Sequence, residues 1–130
     1  MKSRWLSRDI AAPGPYLILF LEENQFHKEL KKLGVNEEIS FVSSTHSNAT
    51  VHKLFSKEGN HCALVCLNKW ESRSGIEIAG LLVHEAVHIW QEYCEYIGED
   101  SPGSEQEAYA IQTISQILMW EFERLTSSKD

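Results

Sequence analysis

The 130-residue chain has few cysteines, few prolines and no long apolar run. Three scattered cysteines, Cys62, Cys66 and Cys94, argue against the disulfide framework of a small secreted domain. No apolar stretch approaches the length of a membrane-spanning helix, and the first ten residues lack the apolar core of a secretory signal. We therefore expect a cytoplasmic protein that is neither secreted nor bound to a membrane.

Basic charge is scarce in the second half of the chain. Residues 1–70 carry a net charge of +2, whereas residues 71–130 carry a net charge of −9. This acidic balance argues against a broad surface for nucleic acid. Acidic residues concentrated in one half are by default solvated helix faces, although some of them could be ligands of a cation.

Length and hydrophobic patterning predict one α+β domain. An N-terminal arm over residues 1–15, ending in Pro13-Gly14-Pro15, precedes a single domain over residues 16–130. Apolar runs and alternation predict strands at 16–21, 39–42, 50–55 and 62–67. Apolar spacings of three and four predict helices at 22–33, 76–97 and 104–125. We expect a small antiparallel sheet, including a hairpin turned at Gly59-Asn60, packed on three helices.

One short motif in the first of the two long helices carries recognisable chemistry. The segment His84-Glu85-Ala86-Val87-His88 matches the pattern H-E-x-x-H. Residues four apart lie on one helix face, so both imidazoles can reach one metal ion, and Glu85 can take a proton from a metal-bound water. Apolar neighbours predict that this helix is buried nearly all round. Burial would favour metal ligands over core histidines that are hydrogen-bonded to neighbours.

A catalytic zinc ion usually has three protein ligands, so a third must come from elsewhere. On a helical wheel Glu107 lies within about 40° of Ile111, Ile114 and Leu118, in the apolar stripe of the last helix. Glu105 lies on the solvated side of that helix. Glu107 is therefore the candidate ligand, and a capping box with Ser104 is the other explanation for its position.

These residues resemble the gluzincin group of zinc metallopeptidases. The resemblance covers residues 81–92 and 104–112, and it includes a Glu-Ala pair at Glu107, 19 residues after His88. It implies a minimal zincin-like core in which His84, His88 and Glu107 bind one zinc ion per chain. Glu85 would be the catalytic general base in the hydrolysis of a peptide or protein substrate. The compact chain is also similar to small metallopeptidases encoded by phages and prophages, which implies the cytoplasm of a host cell.

The residues that would contact a substrate are predicted from less specific signals than the metal ligands. In zincins the edge strand beside the metal binds substrate backbone, so Asn68, just after the second hairpin strand, is a substrate-side candidate. His52 and His46 could approach the metal as substrate or oxyanion contacts.

A second function from another class stays open. The chain lacks the large second lobe of typical gluzincins, so it could be a zinc-stabilised, non-catalytic assembly or interaction module that retains a zincin core. Trp5 in the N-terminal arm would then help to dock a protein partner. The retained Glu85 argues against this alternative, because a structural zinc site has no use for a general base.

Overall fold

The computed structural model describes residues 2–6, 15–44 and 47–127, and it has the predicted α+β architecture. In chain order the elements are β1 (Tyr16–Phe20), α1 (Glu23–Lys32), β2 (Ala49–Phe55), β3 (His61–Leu67), α2 (Gly75–Ile97) and α3 (Ser104–Thr126). A single 3-10 turn at Trp70–Ser72 leads into α2. None of the described helices is both long enough and apolar enough to cross a membrane.

The sheet has the strand order β1-β3-β2 and is mixed. The hairpin of β2 and β3 is antiparallel as predicted, and β1 pairs with β3 in parallel. The expectation of a wholly antiparallel sheet is wrong because the chain leaves α1 into β2, which runs opposite to β1, and the hairpin then brings β3 back beside β1 in the same direction. The predicted strand at 39–42 is also absent, since the carbonyl oxygen of Phe41 accepts a hydrogen bond from the His52 ring rather than from a neighbouring strand.

The central strand β3 is buried along its whole length because the sheet is covered on both faces. Alternation along β1 and β3 divides the core into two clusters. The larger cluster joins Leu17, Leu19 and Val65 to α2 and α3. The smaller joins Phe20 and Leu64 to α1. All three cysteines are free thiols in the buried part of the fold.

The helix ends differ from the predicted capping. A capping box is present at the start of α2, where the Ser74 hydroxyl accepts the Glu77 amide and the Glu77 carboxylate accepts the Ser74 amide. The helix α3 instead has Gly103 at its N-cap, without a side-chain cap, and Ser104 is its first helical residue. Glu107 therefore has no capping partner, and the alternative explanation for its position is removed.

The described part of the N-terminal arm packs on the fold. Trp5 forms an antiparallel bridge with Ile18, and its indole N–H donates to Glu29 at 3.0 Å. Arg4 lies 3.3 Å from the buried carboxylate of Glu121 on α3. Residues 2–6 thus lie along the open edge of β1 with a single bridge to it, while the predicted break at Pro13-Gly14 lies outside the described residues.

Candidate metal centre

The two histidines of the motif lie one turn apart on the same flank of α2. Their Nε2 atoms are 3.2 Å apart and their ring centroids are 4.7 Å apart. Two nitrogen ligands of one tetrahedral zinc ion, each about 2.05 Å from the metal, would be separated by about 3.3 Å. A hydrogen bond between the two imidazoles accounts for the same distance. In either case His84 and His88 direct a nitrogen to one common point, as the spacing predicts.

The expectation that the motif helix is buried nearly all round is wrong. Both His84 and His88 are exposed, because α2 buries the face that carries Leu82, Ala86 and Ile89 and leaves the opposite flank to solvent. The burial argument for metal binding therefore does not apply to the imidazoles. Their convergence at the surface is the feature that supports a metal site.

Glu85 lies between the buried face and the exposed flank, and its side chain is largely buried. Burial raises the pKa of Glu85 above its ordinary value, an effect that the charges of His84, His88 and Lys53 partly offset. A carboxylate whose pKa is closer to neutrality is a better proton acceptor for general base catalysis. The position of Glu85 is thus compatible with the predicted role.

A lysine that the sequence did not single out also lies near the motif. Lys53 on β2 extends towards α2, where its Nζ atom is 3.8 Å from a carboxylate oxygen of Glu92. Glu92 follows His88 by one helical turn. The edge strand β2 contacts α2, and the Lys53–Glu92 pair places it beside the histidine flank of that helix. Alternation in β2 marks Lys53 and His52 as pointing to opposite faces, but it does not tell which face meets α2.

The structure does not bring Glu107 to the histidines. Its carboxylate is half-buried and accepts a hydrogen bond of 3.1 Å from the indole of Trp90. Trp90 lies about 160° around α2 from His88, on the opposite flank. Within residues 2–6, 15–44 and 47–127 no three His, Cys, Asp or Glu side chains form a group that could hold a metal ion. Glu105 is exposed, as the wheel predicts.

The two predicted substrate contacts have other roles in this structure. His52 lies on the α1 face of the sheet, 4.9 Å from the ring of Phe26, and donates to the Phe41 carbonyl at 2.9 Å. Asn68 is bound to the loop before β2, with its amide donating to the Ser47 carbonyl. The edge strand beside α2 is β2, so the segment after β3 is not the strand edge that the motif faces. His46 lies outside the described residues.

Comparison of the chain with protein-family models, curated proteins and solved structures gave no match. The functional interpretation therefore rests on the motif and on the geometry of the residues around it.

Proposed function

We propose that this protein is a zinc-dependent hydrolase of peptide bonds, a minimal metallopeptidase of the gluzincin type. The observation that carries the proposal is the convergence of the His84 and His88 imidazoles on an exposed flank of α2, with Glu85 beside them. Imidazole nitrogens suit zinc well, and their exposure gives a substrate direct access. A carboxylate next to the first histidine is what hydrolysis requires and what a structural site does not.

The donor set fits zinc in part. His84 and His88 supply two ligands, and a catalytic zinc ion needs a third. Glu107 is the third ligand that the sequence offers, and its contact with Trp90 is of the kind that commonly orients a ligating carboxylate. In the described arrangement it lies on the far flank of α2. Completing the site with Glu107 would therefore require the first turn of α3 to leave its place against Trp90.

The proposed reaction would use both a bound zinc ion and side chains of the protein. A bound zinc ion would polarise the scissile carbonyl and lower the pKa of a water molecule towards ~7. Glu85 would accept a proton from the attacking water and deliver it to the leaving amine. The ammonium group of Lys53, which pairs with Glu92 one helical turn after His88, would add positive charge on this side of α2 and so favour the negative charge that develops on a substrate oxygen.

The test combines metal content with turnover. We expect the zinc-loaded protein to cleave members of a quenched fluorescent peptide library. We expect Glu85→Gln to keep one zinc ion per chain while its turnover falls by about 10²- to 10⁴-fold, the usual contribution of a general base. Full turnover by Glu85→Gln, or zinc binding without cleavage of any library member, would contradict the proposal.

A second candidate function is a zinc-stabilised assembly module. One observation favours it: the described residues bring together only two ligands, and both are exposed. Structural zinc sites have four protein ligands, so His84 and His88 from each of two copies would complete one. This candidate predicts one zinc ion per two chains and a dimer that dissociates on chelation. Native mass spectrometry with and without zinc distinguishes it from the enzyme, for which we expect one zinc ion per chain.

A further inference from the structure

A concave feature lies beyond the motif, between the β2–β3 hairpin and the C-terminal part of α2. This aromatic pocket has a volume of about 220 Å³. It is lined by Lys53, Phe55, His61, Glu92, Glu95 and Tyr96. None of these residues is a proposed metal ligand or the proposed base. The proposed metal chemistry therefore does not explain why aromatic rings and carboxylates are brought together here.

Three rings form the apolar wall of the aromatic pocket. His61 stacks on Tyr96 with centroids 4.7 Å apart and planes 9° apart, and Phe55 lies 5.6 Å from Tyr96. Phe55 and Tyr96 are 56% and 51% exposed, so these rings are not used to fill the core. Burial lowers the pKa of His61 more than the charge of Glu92 raises it, so the charged imidazole is disfavoured. The wall thus presents ring surface to solvent without adding positive charge.

The remaining lining residues give the aromatic pocket a net negative charge. Two carboxylates, Glu92 and Glu95, face one ammonium group, Lys53, which is paired with Glu92 at 3.8 Å. The Glu95 side chain has no ion pair or hydrogen bond to any other residue in the described ranges. One carboxylate therefore stays available beside exposed aromatic rings.

We propose that the aromatic pocket binds an arginine side chain of the peptide substrate. A guanidinium group is planar and weakly hydrated, stacks on aromatic rings and pairs with carboxylates, so it matches both the wall and Glu95. A lysine side chain matches less well, because its compact ammonium is strongly hydrated and does not stack.

This inference rests on the proposed function for its relation to the cleaved bond. Glu92 and Glu95 follow His88 by four and seven residues, which is about 6 to 10 Å along the axis of α2. An extended peptide advances about 3.3 Å per residue. The arginine should therefore lie two or three residues from the scissile bond.

Binding is tested on the full-length chain by NMR titration. The probes are three acetylated tetrapeptide amides that differ at one position, which is arginine, lysine or norleucine. We expect the arginine peptide to shift the amide signals of residues 53–61 and 92–96 and to bind more tightly than the other two. Glu95→Gln should weaken its binding about tenfold, as for loss of a charged hydrogen-bond partner. Tyr96→Ala should weaken it as well, and Tyr109→Ala, which removes an exposed tyrosine from α3, should not.

Hydrolysis provides a second readout, and it separates this inference from the proposed function. We expect library cleavage to favour arginine two or three residues from the cut, and Glu95→Lys to abolish that preference. Arginine-specific binding without any cleavage would support the aromatic pocket and overturn the peptidase proposal. Cleavage without preference for arginine, or equal binding of all three tetrapeptides, would overturn the aromatic pocket.

Discussion

The role of His52 follows from the face of the sheet on which its side chain lies. Its ring packs on Phe26 and donates to the Phe41 carbonyl, on the sheet face opposite α2. Burial lowers the pKa of His52 below its ordinary value of 6.5, more than the hydrogen bond to Phe41 raises it. The residue thus supports the segment between α1 and β2, and its burial disfavours the charged imidazole.

At this scale we predict that His52→Ala lowers the free energy of unfolding by about 1–2 kcal/mol, because the Phe41 carbonyl loses its donor and the aromatic cluster loses a ring. Since the folded-state pKa is depressed, the unfolded chain binds more protons as the pH falls below 6.5. Wild-type stability should therefore decline as the pH is lowered through that value, and the decline should be smaller in His52→Ala.

Urea denaturation between about pH 5 and 7 measures both effects. His27→Ala is the matched control, because His27 is a partly exposed histidine on α1 whose only ion pair is with Glu23 among the described residues. Parallel pH profiles for wild type and His52→Ala would show that His52 does not titrate as its burial implies.

Among the elements, those defined by local signals are predicted well from the sequence. The two long helices begin and end within one residue of their predicted bounds, because apolar periodicity is continuous and Gly98 and Gly103 interrupt it. The hairpin follows from two apolar segments and a glycine turn. Parallel pairing of β1 with β3 is not predicted, since it depends on contacts between segments about 45 residues apart, for which local propensity carries no signal.

The packing of α3 on α2 was likewise only partly predictable from the sequence, and this affects the candidate site. The helical wheel correctly identifies Glu107 as a residue that faces α2 and Glu105 as one that faces solvent. It does not tell which flank of α2 the helix α3 covers. In the structure α3 covers the flank of Trp90, so the i, i+4 histidine pair was predictable and the third ligand was not.

If Glu107 ligates zinc as proposed, Glu107→Gln should weaken zinc binding at least tenfold, because a metal ligand contributes at least as much as the outer groups that orient ligands. Glu105→Gln is the matched control and should leave the affinity unchanged, since Glu105 is exposed in the same helical turn. Trp90→Phe should weaken binding less than Glu107→Gln, as it removes only the orienting hydrogen bond. Competition titration with a chromogenic chelator gives the affinities.

Wild-type zinc affinity in Glu107→Gln would remove this residue from the site. The gluzincin assignment would then fail, and the shared site formed by two copies would become the better explanation of the histidine pair.

At the scale of the whole molecule, most of the acidic charge after position 70 and the H-E-x-x-H motif lie in the helical layer formed by α2 and α3. Most described acidic residues after position 70 are exposed on α2, α3 and their connections, as expected for solvated helix faces. Glu85 and Glu121 are the buried exceptions, and the carboxylate of Glu121 is paired with Arg4 and Arg124. This ion-pair cluster joins the N-terminal segment to α3. His84 and His88 are exposed and take no part in this cluster, so neither imidazole is needed to hold it together.

We therefore predict that the zinc-free protein stays folded and that zinc raises its melting temperature by mass action alone. At a free zinc concentration of one hundred times Kd the gain is about 2.7 kcal/mol, or about 10 °C for a domain of this size. His88→Ala should melt close to the zinc-free wild type, because the imidazole is exposed, and should show no shift with zinc. Differential scanning calorimetry before and after verified chelation measures the difference. An unchanged melting curve would mean that zinc does not bind the folded state, whereas a shift that grows with protein concentration would indicate zinc shared between two chains.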